Sequence, residues 1–179
     1  MPVAQSDLVI RLSSTTANSG FYFNQTDPNV SLGKYMASSQ VGTGLHQLWD
    51  PISAAENAAS TSDYRCLFIH NINASSVFSS GYIFISGQVA GGANVFLGVD
   101  ATPATTGSFT GVQASSVAGE TSVPGGVTFI NALTYATGIS IGNLNPGHCR
   151  GLWVRRDAQN SAAINSDGFY LAVQGESDQ

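Results

Sequence analysis

Charge is what this sequence has least of. Lys and Arg together number 6 and Asp and Glu 11 among 179 residues, a charged fraction of 9%, where an average soluble domain carries about 25%. A net charge of -5 with so few basic groups excludes a polybasic nucleic-acid binder. A hydrophobic content of 42% excludes a disordered acidic chain. Cysteine is equally scarce. Cys66 and Cys149 are the only two, too few for a disulfide framework, and read as small buried apolar side chains. A long hydrophobic run is also missing. The best candidate, Val77 to Val99, is interrupted by Ser79, Ser80, Gly81, Ser86, Gly87, Gln88, Gly91, Gly92 and Asn94, so no membrane-spanning helix is expected. The opening Met-Pro-Val-Ala-Gln-Ser-Asp has neither the basic start nor the apolar stretch of a secretory signal. The expectation is synthesis and retention in the cytoplasm of the producing cell, with the sequons at Asn24, Asn29 and Asn73 serving as ordinary loop residues.

What is present is β-structure. Short runs of β-branched and aromatic residues recur between Gly, Ser, Asn and Pro clusters, while helical periodicity is nearly absent. The runs are Asp7–Leu12, Gly20–Asn24, Tyr64–Ile72, Tyr82–Ser86, Val95–Val99, Gly126–Ile130, Gly138–Ile141, His148–Arg155 and Phe169–Gln174. They predict one all-β domain over 1–179, a single antiparallel β-sandwich of jelly-roll or immunoglobulin-like order, with long irregular loops and little helix. Residues 1–7 are read as an N-terminal arm able to add a strand to a neighbour, and 24–62 as a long loop excursion. A second excursion, Asp100 to Gly126, is expected to serve binding or assembly. In the third run Tyr64, Cys66, Phe68 and His70 share one face and Arg65, Leu67, Ile69 and Asn71 the other; apolar groups on both predict a central strand. One helical turn is expected from Pro51, with Asp50 as its N-cap, and Asp167-Gly168 reads as a hairpin turn before the last strand.

Motifs with chemistry are weak. Gly138-Ile139-Ser140-Ile141-Gly142 matches the G-x-S-x-G nucleophile pattern, but Asn145-Pro146-Gly147 forbids the helix that must follow, and His148 fits a turn into the next strand better than a base. Cys66, His70, His148 and Cys149 are good zinc ligands. Yet Cys66 and His70 lie about 13 Å apart on a strand at 3.3 Å per residue, and adjacent His148 and Cys149 point to opposite faces. Arg150, Arg155 and Arg156 are split by alternation and predict pairing with carboxylates rather than phosphate contact. No catalytic, cofactor-binding or metal-binding residue is therefore expected. Between Cys66 and Cys149 only Asp100 and Glu120 carry formal charge. Either that stretch is covered by copies of the chain or another partner, or its Ser, Thr and Asn hydrate an uncharged surface. The aromatic residues Phe21, Tyr22, Phe23, Tyr35 and Trp49 read either as core and loop packing or as anchors for a partner surface or glycan.

An ordered set of segments resembles a known family. They are Asp27-Pro28-Asn29-Val30-Ser31-Leu32-Gly33, Leu48-Trp49-Asp50 leading to Asp63-Tyr64-Arg65-Cys66-Leu67-Phe68-Ile69-His70-Asn71, and Pro124-Gly125-Gly126-Val127-Thr128-Phe129. Ile141-Gly142-Asn143-Leu144-Asn145-Pro146-Gly147, Gly151-Leu152-Trp153-Val154-Arg155-Arg156 and Asp167-Gly168-Phe169-Tyr170-Leu171 follow. In their order they look like the small β-sandwich virion proteins of tailed bacteriophages. The resemblance implies a non-enzymatic capsid decoration or cement protein on the outer head surface. Its implied partner is the major capsid protein, its expected state a homotrimer, and no nucleic acid, membrane or cofactor is involved. A tail or fibre-associated sandwich that binds host glycans or joins tail components is the alternative.

Overall fold

The computed structural model describes residues 2–17, 23–107 and 111–177. Among the described residues nine strands form two antiparallel sheets: β1 (Leu8–Ser14), β2 (Tyr35–Gln40), β3 (Ser62–Asn71), β4 (Phe78–Gln88), β5 (Asn94–Val99), β6 (Thr105–Thr106), β7 (Ile139–Leu144), β8 (His148–Asp157) and β9 (Phe169–Ser177). The larger sheet runs β2-β1-β3-β8-β5, with β6 also on β8; the smaller runs β7-β4-β9. The chain is an antiparallel all-β sandwich with one short α-helix. No helix among the described residues is long and apolar enough to cross a membrane.

Strands β3 and β8 organise everything else. Their register pairs Cys66 with Trp153, Leu67 with Leu152 and His70 with Cys149. The predicted two-faced strand is central, as its pattern requires. Leu67 and Ile69 of β3, with Leu152 and Val154 of β8, face the smaller sheet and meet Ile83 and Ile85 of β4 and Ile141 of β7. All seven are buried, and each such side chain contributes about 1.5–3 kcal/mol on leaving water. The opposite face carries Cys66, Phe68, Cys149 and Trp153, which form a second core with Met36 and Tyr64.

That second core is closed by the chain itself. The excursion after β5 folds back over the outer face of the larger sheet, packing Ala114, Val117, Val127 and Phe129 onto it. The expectation that this excursion serves assembly rather than the core is corrected accordingly. Asp100 at the end of β5 is its clasp. Its buried carboxylate accepts from the Trp153 indole Nε1 at 2.8 Å, the Ser115 amide at 3.0 Å and the Thr102 amide at 2.9 Å. Burial opposes the charge, but the donors from Ser115, Thr102 and Trp153 outweigh it and hold the carboxyl below its usual range. Close approach is permitted by Gly98, where a Cβ would stand 2.4 Å from the Val127 side chain. The expected strand Gly126–Ile130 is not a strand. It lies across this cover, reaching β5 through an isolated Leu97–Ile130 bridge while the Asn131 side chain bonds the Val95 carbonyl.

Other expectations also change. The excursion 24–62 contains edge strand β2 and the helix α1 (Ala54–Ala59). Ser53, not Asp50, caps that helix, because Ser53 and Glu56 form a reciprocal capping box that Asp50 has no partner to make. Asp167-Gly168 is no hairpin, since β8 and β9 belong to different sheets; the Asp167 carboxylate instead accepts from the Ala93 amide at 2.7 Å. Of the expected strand Gly20–Asn24, residues 20–22 lie outside the described residues, and Phe23 and Asn24 are not in a strand. The N-terminal residues do not lead away from the domain: Gln5–Asp7 form a 3-10 turn and Val3 packs against the core.

Replacing Asp100 with Ala leaves the Trp153 indole N–H without its acceptor and unpins the cover. Equilibrium urea denaturation should show a loss of about 3 kcal/mol, with Asp100→Asn losing about half as much. A loss below about 1 kcal/mol in the Ala protein would contradict the clasp.

Candidate functional site

The residues first considered for chemistry are absorbed by the fold. The Gly138–Gly142 pentad lies at the start of and within strand β7, and Ser140 accepts from the amide of Gly142 at 3.3 Å. The chain then turns at Pro146 and Gly147 straight into β8, so no nucleophile elbow exists there. Cys66 and Cys149 are free, buried thiols. Burial raises both, Cys149 to about 12, which keeps them protonated and inert as nucleophiles. Gln113 donates to the Cys149 sulfur at 3.5 Å. His70 faces Cys149 across the strand pair, but its Nδ1 accepts from Arg11 Nε at 3.1 Å. Burial, reinforced by the Arg11 guanidinium, lowers its pKa to about 4, so the ring is neutral in the fold.

Charged groups gather at one end of the larger sheet. Arg65, fully buried, reaches Glu120 at 2.6 Å and the Asn29 side chain at 2.8 Å. Arg156 bonds Asp63 at 2.6 and 3.1 Å and the Asp50 carbonyl at 2.7 Å. Carboxylate oxygens of Glu56, Asp63 and Glu120 lie within 4.8 Å of one another. Two guanidiniums stand among them, and a buried Arg requires such partners. The cluster ties the 24–62 region and the cover to the sheet. Arg155 pairs with Asp157 at 3.0 Å and lies 4.0 Å over the Phe96 ring, so the expected pairing of Arg155 and Arg156 with carboxylates is present. Arg150 instead donates to the Asp100 carbonyl at 3.0 Å.

The five aromatic residues singled out in the sequence do not form one platform. Phe21 and Tyr22 lie outside the described residues. Phe23 runs beside β2, its carbonyl accepting from Ser38, while Tyr35 is half-buried on that strand under Lys34. Trp49 is buried in the main core, its ring 5.8 Å from Phe169 and 5.2 Å from the Arg156 guanidinium, and is not a free stacking surface.

A different aromatic surface emerges from the strand alternation. In β4, Ile83 and Ile85 point inward, which turns Tyr82 and Phe84 to the outside of the smaller sheet. The turn Tyr135–Thr137 sets the Tyr135 ring edge-on to both, at 5.3 and 6.3 Å. On β9 the same alternation sends Tyr170, Ala172 and Gln174 outward, and Ser140 of β7 sits opposite Tyr82. Tyr135 is 44% and Tyr170 75% exposed. The result is an outward face with aromatic rings, hydroxyls and an amide, whose one formal charge is Glu176 near the end of β9. Leu133, two residues before Tyr135, is 51% exposed. The run Tyr82-Ile-Phe-Ile-Ser86 held the signal, because a strand alternating two aromatics with two isoleucines cannot bury both sets in one core.

No protein-family model, curated protein or solved structure matches the chain. The outer aromatic face is therefore read from its own chemistry.

The His70 environment sets an acid sensitivity. The unfolded imidazole takes its proton near 6.5 and the folded one only near 4, so stability falls as pH drops through that window, by at most about 1.4 kcal/mol per unit, and this group adds nothing further below it. In His70→Gln, whose amide oxygen can still accept from Arg11, denaturation between pH 6.5 and 4 should lose that part of the slope. An unchanged slope would exclude His70 as its source.

Proposed function

We propose that this chain is a structural protein of a phage virion, a decoration or cement protein that seats on the outer head surface and bridges major capsid subunits. The observation that carries the reading is the aromatic face of the smaller sheet, formed by Tyr82, Phe84, Tyr135 and Tyr170 with Glu176 as its one charge. Interface centres are depleted in charge and enriched in Tyr and Phe, which bury much area at low entropic cost. The two carboxylates of the Cys66–Cys149 stretch add support, since Asp100 is buried against Trp153 and the partly exposed Glu120 is paired with the buried Arg65. What the stretch turns outward therefore carries no charge other than the Arg65-paired Glu120. The ordered resemblance to phage β-sandwich proteins is the ground for proposing the major capsid protein as the partner.

A single face of this kind gives modest affinity, because association costs consume much of the apolar gain. A homotrimer on a local threefold axis would link three such contacts and make the second and third intramolecular. Binding of host glycans at a tail is the weaker reading. Trp49, one of its expected stacking platforms, is enclosed between Phe169 and Arg156, and among the described residues Tyr170 is the most exposed large aromatic ring.

Co-sedimentation with expanded, undecorated heads tests the proposal. Wild type should pellet with the heads, and Tyr135→Asp combined with Tyr170→Asp should weaken binding at least tenfold, about 1.4 kcal/mol, with an unchanged melting temperature. Folded wild-type protein left in the supernatant would refute the head assignment. Light scattering should give the mass of a trimer; a monomer at working concentration removes the linked-contact argument.

A further inference from the structure

We propose that the free edge of β9 is a strand-acceptor site, and that its occupant is an extended, uncharged segment of the partner polypeptide with apolar side chains at alternate positions. This deepens the reading above, on which the partner's identity as a capsid protein rests; the site itself is argued from the sheet edges alone.

Each sheet has two edges, and an unpaired edge is a template for another strand unless the protein guards it. Three of the four are managed by this chain. On β2, the Met36 amide is taken by the Gln113 side chain at 2.8 Å and the Ser38 amide by the Phe23 carbonyl at 3.0 Å. On β5, Leu97 exchanges backbone bonds with Ile130, and Asn131 caps Val95. β7 is short, six residues, and Gly142 at φ 72° interrupts its regular pleat. β9 differs: it is nine residues long and ends the sheet. It contains no Pro, Lys or Arg, and Glu176 is its one charge. The extra residues where it pairs with β4 fall on β4, so β9 itself continues without a bulge.

The space beside that edge is shaped for a strand. β7 lies against β5 and β8, so the order β7-β4-β9 places β9 toward β1 and leaves β1 and β2 reaching past it. Two hollows flank β9 on that side. One, of about 470 Å³, is lined by Leu8, Ile10, Phe78, Leu171 and Val173 together with the N-terminal Val3–Gln5; the other, of about 1380 Å³, is apolar where Ile10, Leu67, Phe169 and Leu171 line it and polar where the loops bring Asp50, Arg156 and Asp167. A strand laid on β9 gains main-chain hydrogen bonds, and every second side chain drops toward Ile10 and its apolar neighbours. That geometry selects alternate apolar residues. A second copy offering its own β9 does not fit. Antiparallel pairing of identical edges needs a two-fold axis normal to the sheet, which sets both six-stranded sheets on the same side, where β1 and β2 of each would collide.

Amide hydrogen exchange on the full chain tests this, with an acetylated, amidated octapeptide of alternating Thr and Val as probe. Millimolar peptide should slow the outward-pointing amides of β9 at least tenfold and leave β2, β5 and β7 unchanged. No slowing at β9, or equal slowing at the other edges, overturns the acceptor site. Slowing of β9 that grows with protein concentration in the absence of peptide overturns the assignment of the occupant and points to a second copy. These outcomes do not depend on head binding, so failure to sediment with heads and failure of the acceptor site are separately visible.

Discussion

A strand pair that is apolar on both faces must be covered twice. β3 and β8 impose that demand here, and the fold is the chain's answer to it. One face receives the three-stranded sheet. The other receives a segment with little regular structure, held by a buried carboxylate that gathers an indole and two backbone amides. A loop makes a poor lid by itself, because its unpaired backbone groups would be costly under burial. Asp100 resolves this by giving several donors one acceptor, and its placement at the end of β5 sets where the segment crosses the sheet. Without that clasp, Phe68, Cys149 and Trp153 would face water.

The use of charge follows from the same demand. With so few ionised groups, the chain spends most of them on internal fastening. Arg65 and Arg156 draw in Glu120 and Asp63 at one end of the sheet, and Arg11 serves His70 and the Ser38 carbonyl. Little is left for the outer face of the smaller sheet, where Tyr82, Phe84, Tyr135 and Tyr170 stand among hydroxyls. The neutrality that the sequence displays between Cys66 and Cys149 thus has two origins. Part of that stretch lies inside, as cover for its own sheet, and part forms a surface with the composition of a contact.

Legibility in the sequence followed periodicity. β3, β8, β5 and β9 could be read because their alternation is enforced by core packing on at least one face. β2 could not: Tyr-Met-Ala-Ser-Ser-Gln is a polar edge whose pairing is decided by β1, a tertiary effect that local pattern does not carry. The cover was invisible for a related reason, since Asp100 gains meaning only from Trp153, which follows 53 residues later. Gly126–Ile130 has strand composition, yet its backbone meets β5 at one bridge only. For the candidate surface, Trp49 and Tyr35 attracted notice as large aromatics among loop residues, and packing claimed them. Tyr82 and Phe84 were passed over inside a run read only as a strand, with no face assigned.

The topology also sets a schedule. Leu67 finds Leu152 and Ile83 finds Val173, so each sheet is completed by a partner that leaves the ribosome roughly half a protein after the strand it joins. The nascent chain must hold β3 and β4 unpaired on their longest sides until the last quarter is made, and closing loops of that size is slow. A long wait with exposed strand edges favours misassembly. Sparse charge gives the waiting chain little electrostatic repulsion to keep copies apart, so yield during overexpression should be governed by synthesis rate and temperature more than by the stability of the finished molecule.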